Sequence, residues 1–574
     1  MHKANGVLAS ARVAAVVLLA GAAGAVMAAP RPNVVVILAD DLGYSDLSAF
    51  GSEIATPNLD RLAAEGRVLT NFHTTPLCAT SRAELLTGAD HHLVGMGTLP
   101  ESSIFYPKSD EEYQGNLDGN ARTVAQLLHD AGYHTYMAGK WHMGGGGPVK
   151  WGFEQSFSLN YASAFGSNFA PTAARPESGA EPYFENGVQA QLPADFYSSD
   201  YFTSRLIHYI GQDHGDGKPF FAYLAFQAVH FPLQAPDAYL NLYQGRYDAG
   251  YEVVRAARIA RQKALGLIPQ DFVPNPGDEA VMVRFGQPGV LTNTPWNLLP
   301  PEQRRSEARI MEVFAGALTD LDDNVGRLIA YLQQIGAYDN TLVVFMSDNG
   351  ADGMGYGFIP YVDSTGNRDI DNSFANYGRP GSFLFRSTRW AEVGTAPFRL
   401  FKGFTAEGGI SVPAIVRLPG QDASAAASAA LSTLRDIVPT ILAEAGLPDP
   451  GDVYQGHPVA PLDGASLLPL LQGRQEQVHP ASEVFADEVN DIRYVRRGPW
   501  KLTRIVNYLL PSPALLLDHE WQLYDLDHDR GELDDVARLH PDIVAELEEE
   551  WRAYVARVGV EQPILPPLLP PIDQ

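Results

Sequence analysis

Cysteine is almost absent, since the chain of 574 residues contains only Cys78. A single thiol cannot form an internal disulfide, so the fold is not held together by disulfide bonds. Most free cysteines are small, buried hydrophobic residues. An unpaired thiol in an oxidising compartment is nevertheless a liability unless it is buried or used. Cys78 is therefore either a core residue or a functional one.

Basic residues are also scarce. Lys and Arg number 41 against 68 Asp and Glu, which gives a formal net charge of −27 at pH 7. Such an acidic chain lacks an extended basic surface for neutralising phosphates, so nucleic acid is excluded as a partner. An anionic substrate would need a local positive site, which makes single lysines and arginines beside glycines the candidates to inspect.

Long apolar runs are confined to the N-terminus. Residues 1–29 have the pattern of a secretory signal peptide: Lys3 and Arg12 precede the alanine-rich stretch Val13–Met27, and small residues follow at the cleavage position. A retained membrane anchor is the alternative, although the stretch is short for a spanning helix. We expect the mature protein to be periplasmic or secreted, with no membrane contact after signal removal.

Strands alternate with helices along most of the chain. Continuous apolar runs predict strands buried on both faces, and amphipathic segments between them predict helices. The predicted strands are Asn33–Ala39, Gly132–Ala138, Pro219–Phe226 and Thr341–Ser347, and the predicted helices are Pro57–Glu65, Thr123–Ala131 and Arg309–Ile335. This order is typical of an α/β fold. We expect residues 31–475 to form one domain with a large mixed, mostly parallel sheet sandwiched by helices.

The pattern changes from about residue 480. The segments Ile492–Arg496, Trp500–Arg504 and Trp521–Leu526 are predicted to be short strands, and Asp542–Val558 an amphipathic helix. Residues 476–574 are therefore expected to form a small C-terminal subdomain, an antiparallel sheet with a helix. Two earlier stretches, about 234–305 and 351–397, are predicted to be rich in loops that wall or cover a site.

Polar residues fall where the predicted strands of the large sheet end. These residues are Asp40, Asp41, His142, His230, Asp348 and Asn349. Any one of them could cap a helix or start a turn. Ligands bind outside the carboxyl ends of strands in open α/β sheets, so this many polar residues at one edge predict a ligand site.

Four of these residues offer oxygen ligands: Asp40, Asp41, Asp348 and Asn349. Hard oxygen ligands select calcium or magnesium, and a cage of several carboxylates favours calcium. The pair His91–His92 lacks a zinc-type spacing and is interpreted as solvated or core histidines. Three aspartates and a divalent ion remain net negative, so an anionic substrate needs further cations. The candidates are Arg82, Lys140 and Lys402.

Two longer motifs carry a resemblance to a known family. Cys78 opens the segment Cys-Ala-Thr-Ser-Arg-Ala-Glu-Leu-Leu-Thr-Gly, and Ala131–His142 reads Ala-Gly-Tyr-His-Thr-Tyr-Met-Ala-Gly-Lys-Trp-His. With Asn33–Asp41, Ser347–Gly350 and the segments around His230 and Lys402, they resemble the motifs of the type I sulfatases, in the family's order. The resemblance extends from about residue 31 to the C-terminal helix and is nearest to bacterial arylsulfatases. It implies the fold of the alkaline-phosphatase-like superfamily.

The resemblance implies a mechanism built on Cys78. A maturation enzyme would oxidise this cysteine to formylglycine (3-oxoalanine), whose hydrated aldehyde would attack the sulfur of a sulfate ester and give a covalent hemiester. One Ca²⁺ ion would act as a Lewis acid on a sulfate oxygen and orient the diol. The resemblance gives its ligands as Asp40, Asp41, Asp348, Asn349 and residue 78.

The same resemblance assigns roles to the cationic residues. Arg82 and Lys140 would hold the aldehyde hydrate and balance charge. Lys402 and His230 would bind the sulfate and assist the leaving group. His142 would take the proton of the hemiester hydroxyl in the elimination step.

One residue departs from the family pattern. Two residues after the cysteine, where the maturation signal usually carries Pro or, less often, Ala, this chain has Thr80. A converted Cys78 predicts an arylsulfatase that hydrolyses aryl sulfates to a phenol and sulfate. Two alternatives remain open: a phosphonate or phosphate ester hydrolase of the same superfamily, and an unmatured, non-catalytic sulfate-ester binding protein. The expected partners are a small-molecule sulfate ester and the maturation enzyme, and a chain of this length can be stable as a monomer.

Overall fold

The computed structural model describes residues 31–107, 111–160, 167–170, 183–277, 294–353, 370–421, 427–505 and 521–561. The expected signal peptide, residues 1–29, lies outside the described residues. Within the described ranges, no helix is both long enough and apolar enough to cross a membrane.

The strands are named in chain order. They are β1 Asn33–Ala39, β2 Arg67–His73, β3 His134–Lys140, β4 Gln155–Leu159, β5 Tyr183–Glu185, β6 Val188–Gln189, β7 Phe220–Ala225, β8 Thr341–Ser347, β9 Ser411–Arg417, β10 Ser432–Thr433, β11 Val453–Tyr454, β12 His457–Pro458, β13 Val484–Val489, β14 Ile492–Arg497, β15 Trp500–Arg504 and β16 Gln522–Asp525. Across the described ranges, ten of them form one sheet in the order β10-β2-β9-β8-β1-β7-β3-β4-β5-β6.

The helices are also named in chain order. They are α1 Pro57–Glu65, α2 Cys78–Thr87, α3 Val124–Asp130, α4 Ser198–Asp213, α5 Tyr251–Leu265, α6 Pro301–Gln334, α7 Thr388–Gly394, α8 Glu407–Ile410, α9 Ile437–Glu444, α10 Leu468–Leu471 and α11 Pro541–Val558.

Strand β1 lies in the middle of the large sheet and is buried on both faces. It pairs in parallel with β7 on one side and with β8 on the other. Val35 and Ile37 belong to one hydrophobic core, which includes α1, α4 and α6. Val34 and Val36 belong to a second core, which includes α2, α3 and α9. The alternation of side chains along β1 therefore builds a layer of helices on each face, as expected for a continuous apolar strand.

The sheet is mixed but mostly parallel, which confirms the predicted fold class. Strand β3 pairs in parallel with β7 and β4, whereas β9 runs antiparallel to both β8 and β2. Because two reversals separate β2 from β8, these two strands point the same way. The carboxyl ends of β1, β2, β3, β7 and β8 therefore meet at one edge.

A four-stranded antiparallel sheet, β13-β14-β15-β16, forms the C-terminal part together with α11. Val495 and Leu502 from the sheet share a hydrophobic core with Leu547 and Trp551 from the helix. The predicted antiparallel sheet with a helix is thus confirmed. The boundary between residues 475 and 476 remains a prediction, and the sheet itself begins at Val484.

The prediction of loop-rich walls was incomplete. Helix α5 lies within the stretch 234–305, and α7 lies within 351–397. The buried stripe of α5 includes Arg255 and Arg258 beside Val254 and Ile259. Because half of that stripe is polar, the apolar periodicity that marks a helix is weak.

Candidate active site

The predicted site residues gather at the carboxyl edge of the large sheet. Asp40 and Asp41 follow β1, Asp348 and Asn349 follow β8, and Lys140 is the last residue of β3. The segment after β7 is tied to β1, because the Asp40 N–H donates to Ala228 O at 3.0 Å and the Val229 N–H donates to Asp40 O at 2.9 Å. The next residue, His230, has Nε2 3.6 Å from Asp41 Oδ2.

Each aspartate of the cluster has its own cation. Lys140 Nζ donates to Asp40 Oδ2 at 2.6 Å, and Lys402 Nζ lies 2.7 Å from Asp41 Oδ1. Arg82 donates to Asp348 Oδ2 through Nε at 3.0 Å and through Nη2 at 2.7 Å. Three carboxylates therefore face three cations, and the cluster is close to neutral as it stands. We call these six side chains and Asn349 the carboxylate cluster.

Cys78 is the first residue of α2 and lies against the carboxylate cluster. Its Sγ donates to Asp40 Oδ1 at 3.3 Å and to Asp41 Oδ1 at 3.7 Å. The start of a helix presents unpaired N–H groups and a partial positive charge, which favour an anion at this position. Burial and the negative charge of Asp348 raise the pKa of the thiol well above its usual value. Cys78 is therefore a protonated thiol in this structure rather than a thiolate.

Thr80 is completely buried behind Cys78. Its hydroxyl donates to Leu77 O at 2.9 Å and also contacts the hydroxyl of Thr75. Thr75 in turn lies 2.8 Å from Ser81 Oγ. This group of hydroxyls fixes the chain on both sides of Cys78 and gives Thr80 a structural role at the start of α2.

The site is buried, and its described residues differ only slightly in exposure. Asp40, Asp348 and Lys140 are fully buried, whereas His230 and Lys402 are each 6% exposed. Cys78 and His142 are 2% and 3% exposed. The four residues that keep some exposure are also those that the resemblance assigns to the nucleophile, the sulfate and proton transfer.

His142 lies beside the cluster rather than inside it. Its Nε2 is 3.2 Å from Glu101 Oε2, and Lys140 and Arg82 act on its imidazole electrostatically. Burial lowers the pKa of His142 below its ordinary value, so the ring is neutral at neutral pH. Its backbone has a φ of 57°, in the left-handed region that non-glycine residues seldom occupy.

The loop that carries Lys402 approaches the end of β8 very closely. Lys402 N–H donates to Ala351 O at 3.1 Å, and Gly350 N–H donates to Gly409 O at 2.9 Å. A Cβ on Gly350 would lie 2.0 Å from Gly408 O. Only glycine allows this backbone contact, and the contact brings Lys402 from a distant part of the sequence to Asp41.

The donor set suits a hard divalent cation. The Nδ2 of Asn349 donates to Asp41 Oδ1 at 2.7 Å and to Gly350 O at 2.9 Å. Its Oδ1 is buried and has no hydrogen-bond partner among the described residues. Leaving such an acceptor unpaired costs about 1–3 kcal/mol. A cation held between this oxygen and the three aspartates would satisfy it, and oxygen ligands of this kind fit calcium.

Electrostatics keep Asp40 and Lys140 charged, whereas burial and the negative charge of Asp40 raise the pKa of Asp348 to about 7. Burial opposes ionisation of Asp40, but the positive charges of Lys140 and Arg82 outweigh it and hold the pKa of this carboxyl well below its usual range. Burial would also lower the pKa of Lys140, yet Asp40 raises it. Burial lowers the pKa of His230 to about 4, so this imidazole is neutral at neutral pH.

The sequence analysis missed two residues of the site, Glu101 and Arg386, because neither belongs to a recognisable motif. Glu101, the partner of His142, lies in a short 3-10 helix, Pro100–Phe105. Arg386 donates to the backbone oxygen of Asp41 at 3.1 Å and to Asp46 Oδ2 at 2.9 Å, and so supports the turn after β1. Neither residue stands in a recognisable spacing, because each meets its partner only through the fold.

The second group of potential ligands, Asp90, His91 and His92, is not part of the site. His91 Nδ1 contacts Met96 O and its Nε2 contacts Asp487, both at 2.8 Å. His92 lies between Asp90 at 3.0 Å and Glu488 at 3.3 Å. All four ring nitrogens therefore have protein partners. The histidines are core residues that tie the large domain to β13, as one of the two sequence interpretations held.

Comparison with known proteins decides the family. Residues 32–447 match the family model described as Sulfatase. The chain is a type I sulfatase. The sulfatase is 38% identical to the arylsulfatase of Klebsiella aerogenes, over 78% of its own length and 94% of that protein. It is 40% identical to an uncharacterized sulfatase of Schizosaccharomyces pombe, over 92% of its own length and 94% of that protein.

A solved structure supports the same fold. The sulfatase aligns with the crystal structure of Ps i-CgsB in complex with k-i-k-neocarrahexaose with a TM-score of 0.62. The alignment covers 91% of this chain and 92% of that one at 23% sequence identity, which shows the fold alone. With the family match, the sulfatase is a sulfuric ester hydrolase of the alkaline-phosphatase-like superfamily.

Proposed function

We propose that this sulfatase is a Ca²⁺-dependent arylsulfatase whose nucleophile is formylglycine derived from Cys78. The observation that carries the proposal is the position of Cys78 Sγ, 3.3 Å from Asp40 Oδ1 within the carboxylate cluster. A side chain at this point faces both the cations and the oxygen ligands. The identity of 38% to the Klebsiella arylsulfatase supports the choice of aryl sulfates as substrates.

Ca²⁺ would be held by Asp40, Asp41, Asp348, Asn349 and residue 78. When bound, it would supply a Lewis acid that polarises a sulfate oxygen. The three aspartates and three cations balance one another, so a divalent ion gives the site a positive charge that attracts a sulfate monoanion. Formylglycine at position 78 would supply, as its hydrate, a hydroxyl nucleophile.

The protein residues then divide into two groups. Lys140 and Arg82 are fully buried, and they hold residue 78 and the aspartates in place. Lys402 and His230 each keep 6% exposure, and they bind the sulfate and assist the departing oxygen. His142 is neutral at neutral pH, so it is able to accept a proton from the hydroxyl at position 78.

Aromatic side chains next to the site support an aryl substrate. The ring of Phe231 stacks on His230 with a centroid distance of 4.3 Å. Phe383 and Phe385 meet Phe231 edge-on at 6.0 Å and 6.4 Å. These rings give the neighbourhood of His230 an apolar, aromatic character that suits the organic part of an aryl sulfate.

We also propose that the sulfatase is exported to the periplasm or secreted as a monomer after a maturation enzyme has acted on Cys78. The leader pattern in residues 1–29 supports export. An acidic chain of this kind suits a soluble hydrolase of small anionic esters rather than a nucleic-acid enzyme.

The decisive experiment is mass spectrometry of the tryptic peptide Val68–Arg82, from protein exported together with a maturation enzyme. We expect a mass loss that matches replacement of the thiol by an aldehyde, despite Thr80. The same preparation should hydrolyse an aryl sulfate faster than the corresponding aryl phosphate. Cys78→Ala, expressed identically, is the control and should be inactive.

The other outcomes separate the alternatives. An intact thiol, also in protein from the native host, would contradict the proposal and favour a non-catalytic binding protein. A converted residue with faster hydrolysis of the phosphate or phosphonate ester would favour the second hydrolase class.

A further inference from the structure

Glu101 reaches His142 from outside the carboxylate cluster. Its Oε2 lies 3.2 Å from His142 Nε2. The side chain of Glu101 is 43% exposed, whereas that of His142 is 4% exposed. An exposed carboxylate therefore contacts a buried imidazole that borders the site.

The carboxylate determines which ring nitrogen carries the proton. Burial opposes ionisation of Glu101, but His142 outweighs it and holds the pKa of Glu101 at about 2. An ionised carboxylate only accepts hydrogen bonds, so the contact requires a proton on His142 Nε2. Because His142 is neutral, its Nδ1 then keeps a free lone pair.

The other ring nitrogen, Nδ1 of His142, is available to accept a proton. His142 Nδ1 is buried and has no hydrogen-bond partner among the described residues. The left-handed backbone of His142, with φ of 57°, is strained and persists only where the surroundings impose it. The fold thus holds an unpaired proton acceptor on an imidazole that feels the charges of Lys140 and Arg82.

We propose that Glu101 is a positioning residue for sulfate ester hydrolysis, which holds His142 with Nε2 protonated and Nδ1 free to accept a proton. This inference rests on the proposed function, in which His142 acts on the hydroxyl at position 78. As that O–H bond breaks, an N–H bond forms at Nδ1 and a C=O bond forms at residue 78. The bond from that carbon to the sulfate oxygen breaks, and sulfate leaves with its electron pair. The positive charge on the imidazole is balanced by Glu101.

The chain offers a matched control. Glu154 Oε2 lies 2.9 Å from Nδ1 of His134, and the Glu154 side chain is 33% exposed. His134 begins β3, whereas Lys140 ends it, so this second Glu–His pair lies at the opposite edge of the sheet. Glu154→Gln changes the same chemical group far from the site.

The test compares Glu101→Gln, Glu101→Ala and Glu154→Gln in formylglycine-bearing protein, with steady-state kinetics on a sulfate ester and with thermal melting. Gln is isosteric but can donate to Nε2, which allows the wrong tautomer. We expect both Glu101 variants to lose kcat by about 10- to 100-fold with KM unchanged. Glu154→Gln should keep the kcat of the wild type, and all melting temperatures should agree.

Each other result overturns the inference. Unchanged kcat in Glu101→Gln, a rise in KM alone, or a loss of kcat that accompanies a lower melting temperature would assign Glu101 no positioning role. If the wild type carrying formylglycine hydrolyses no sulfate ester, the proposed function fails together with this inference. If the wild type is active and the variants match it, only this inference fails.

Discussion

Removing Lys140 should destabilise the fold because Asp40 loses its nearest cation. Both side chains are fully buried, and Lys140 Nζ lies 2.6 Å from Asp40 Oδ2. After Lys140→Met, Asp40 keeps Arg82 Nη2 at 3.6 Å. Breaking a buried ion pair by removing one partner costs about 3–5 kcal/mol, because the other charge remains buried.

The size of the effect is measurable even in a protein of this length. Unfolding entropy of about 2.1 cal/mol/K per residue gives about 1.2 kcal/mol/K for a chain of this size. The melting temperature of Lys140→Met should therefore fall by about 3–4 °C. Lys218→Met, which removes an exposed lysine, should change stability by less than about 0.5 kcal/mol.

A double-mutant cycle identifies the cause. Lys140→Met, Asp40→Asn and the double variant would be unfolded with urea in the presence of EDTA, so that no bound cation shields Asp40. Asp40→Asn removes the charge that Lys140→Met leaves unpaired. The double variant should therefore be more stable than the sum of the single effects, by about 2 kcal/mol. Additive effects, within about 0.5 kcal/mol, would refute the reasoning.

Three further perturbations follow from the structure. Burial opposes ionisation of Glu53, but Arg258 outweighs it and holds its pKa at about 2. The Glu53–Arg258 pair therefore stabilises the fold above about pH 5, and this stabilisation is lost as the pH falls toward 2. The free energy of unfolding, measured with urea at pH 3 and pH 7, should differ less between the two pH values in Glu53→Gln than in the wild type. An equal difference in both proteins would contradict this. Gly139→Ala should give insoluble protein, since its Cβ would lie 1.7 Å from Ala225 O; a soluble variant with wild-type melting would contradict the register of β3 and β7. Thr80→Val should cost about 0.5–1.5 kcal/mol in urea unfolding, because one buried hydrogen bond is lost while Leu77 O keeps the Ser81 N–H as a donor; a neutral result would show that the hydroxyl is dispensable.

The sheet could be predicted because its strands are buried on both faces. The run Asn33–Ala39 is apolar at almost every position. Asp40 and Asp41 follow it directly, so they are visible in the sequence itself. Helix α5 was missed for the opposite reason. Arg258 lies on the buried face of α5, where it pairs with Glu53 and Asp46. A charged residue at a buried position interrupts the apolar periodicity from which a helix is predicted.

The pairing of charges within the site could not be predicted from local patterns. Lys140 and Asp40 are 100 positions apart, Arg82 and Asp348 are 266 apart, and Lys402 and Asp41 are 361 apart. The family resemblance named these residues, but which cation faces which aspartate follows only from the fold. Glu101 had neither a motif nor a resemblance to reveal it.

The burial of α2 restricts when an enzyme could modify Cys78. All ten residues of this helix are buried, and Cys78 is 2% exposed. An enzyme cannot bind such a helix in the folded protein, so a modification of the thiol has to occur while the segment is still extended. If Cys78 is converted to formylglycine as proposed, the converted fraction would depend on the rate of modification relative to the rate of folding. Slower folding would raise that fraction, and chains that fold before modification would keep the thiol.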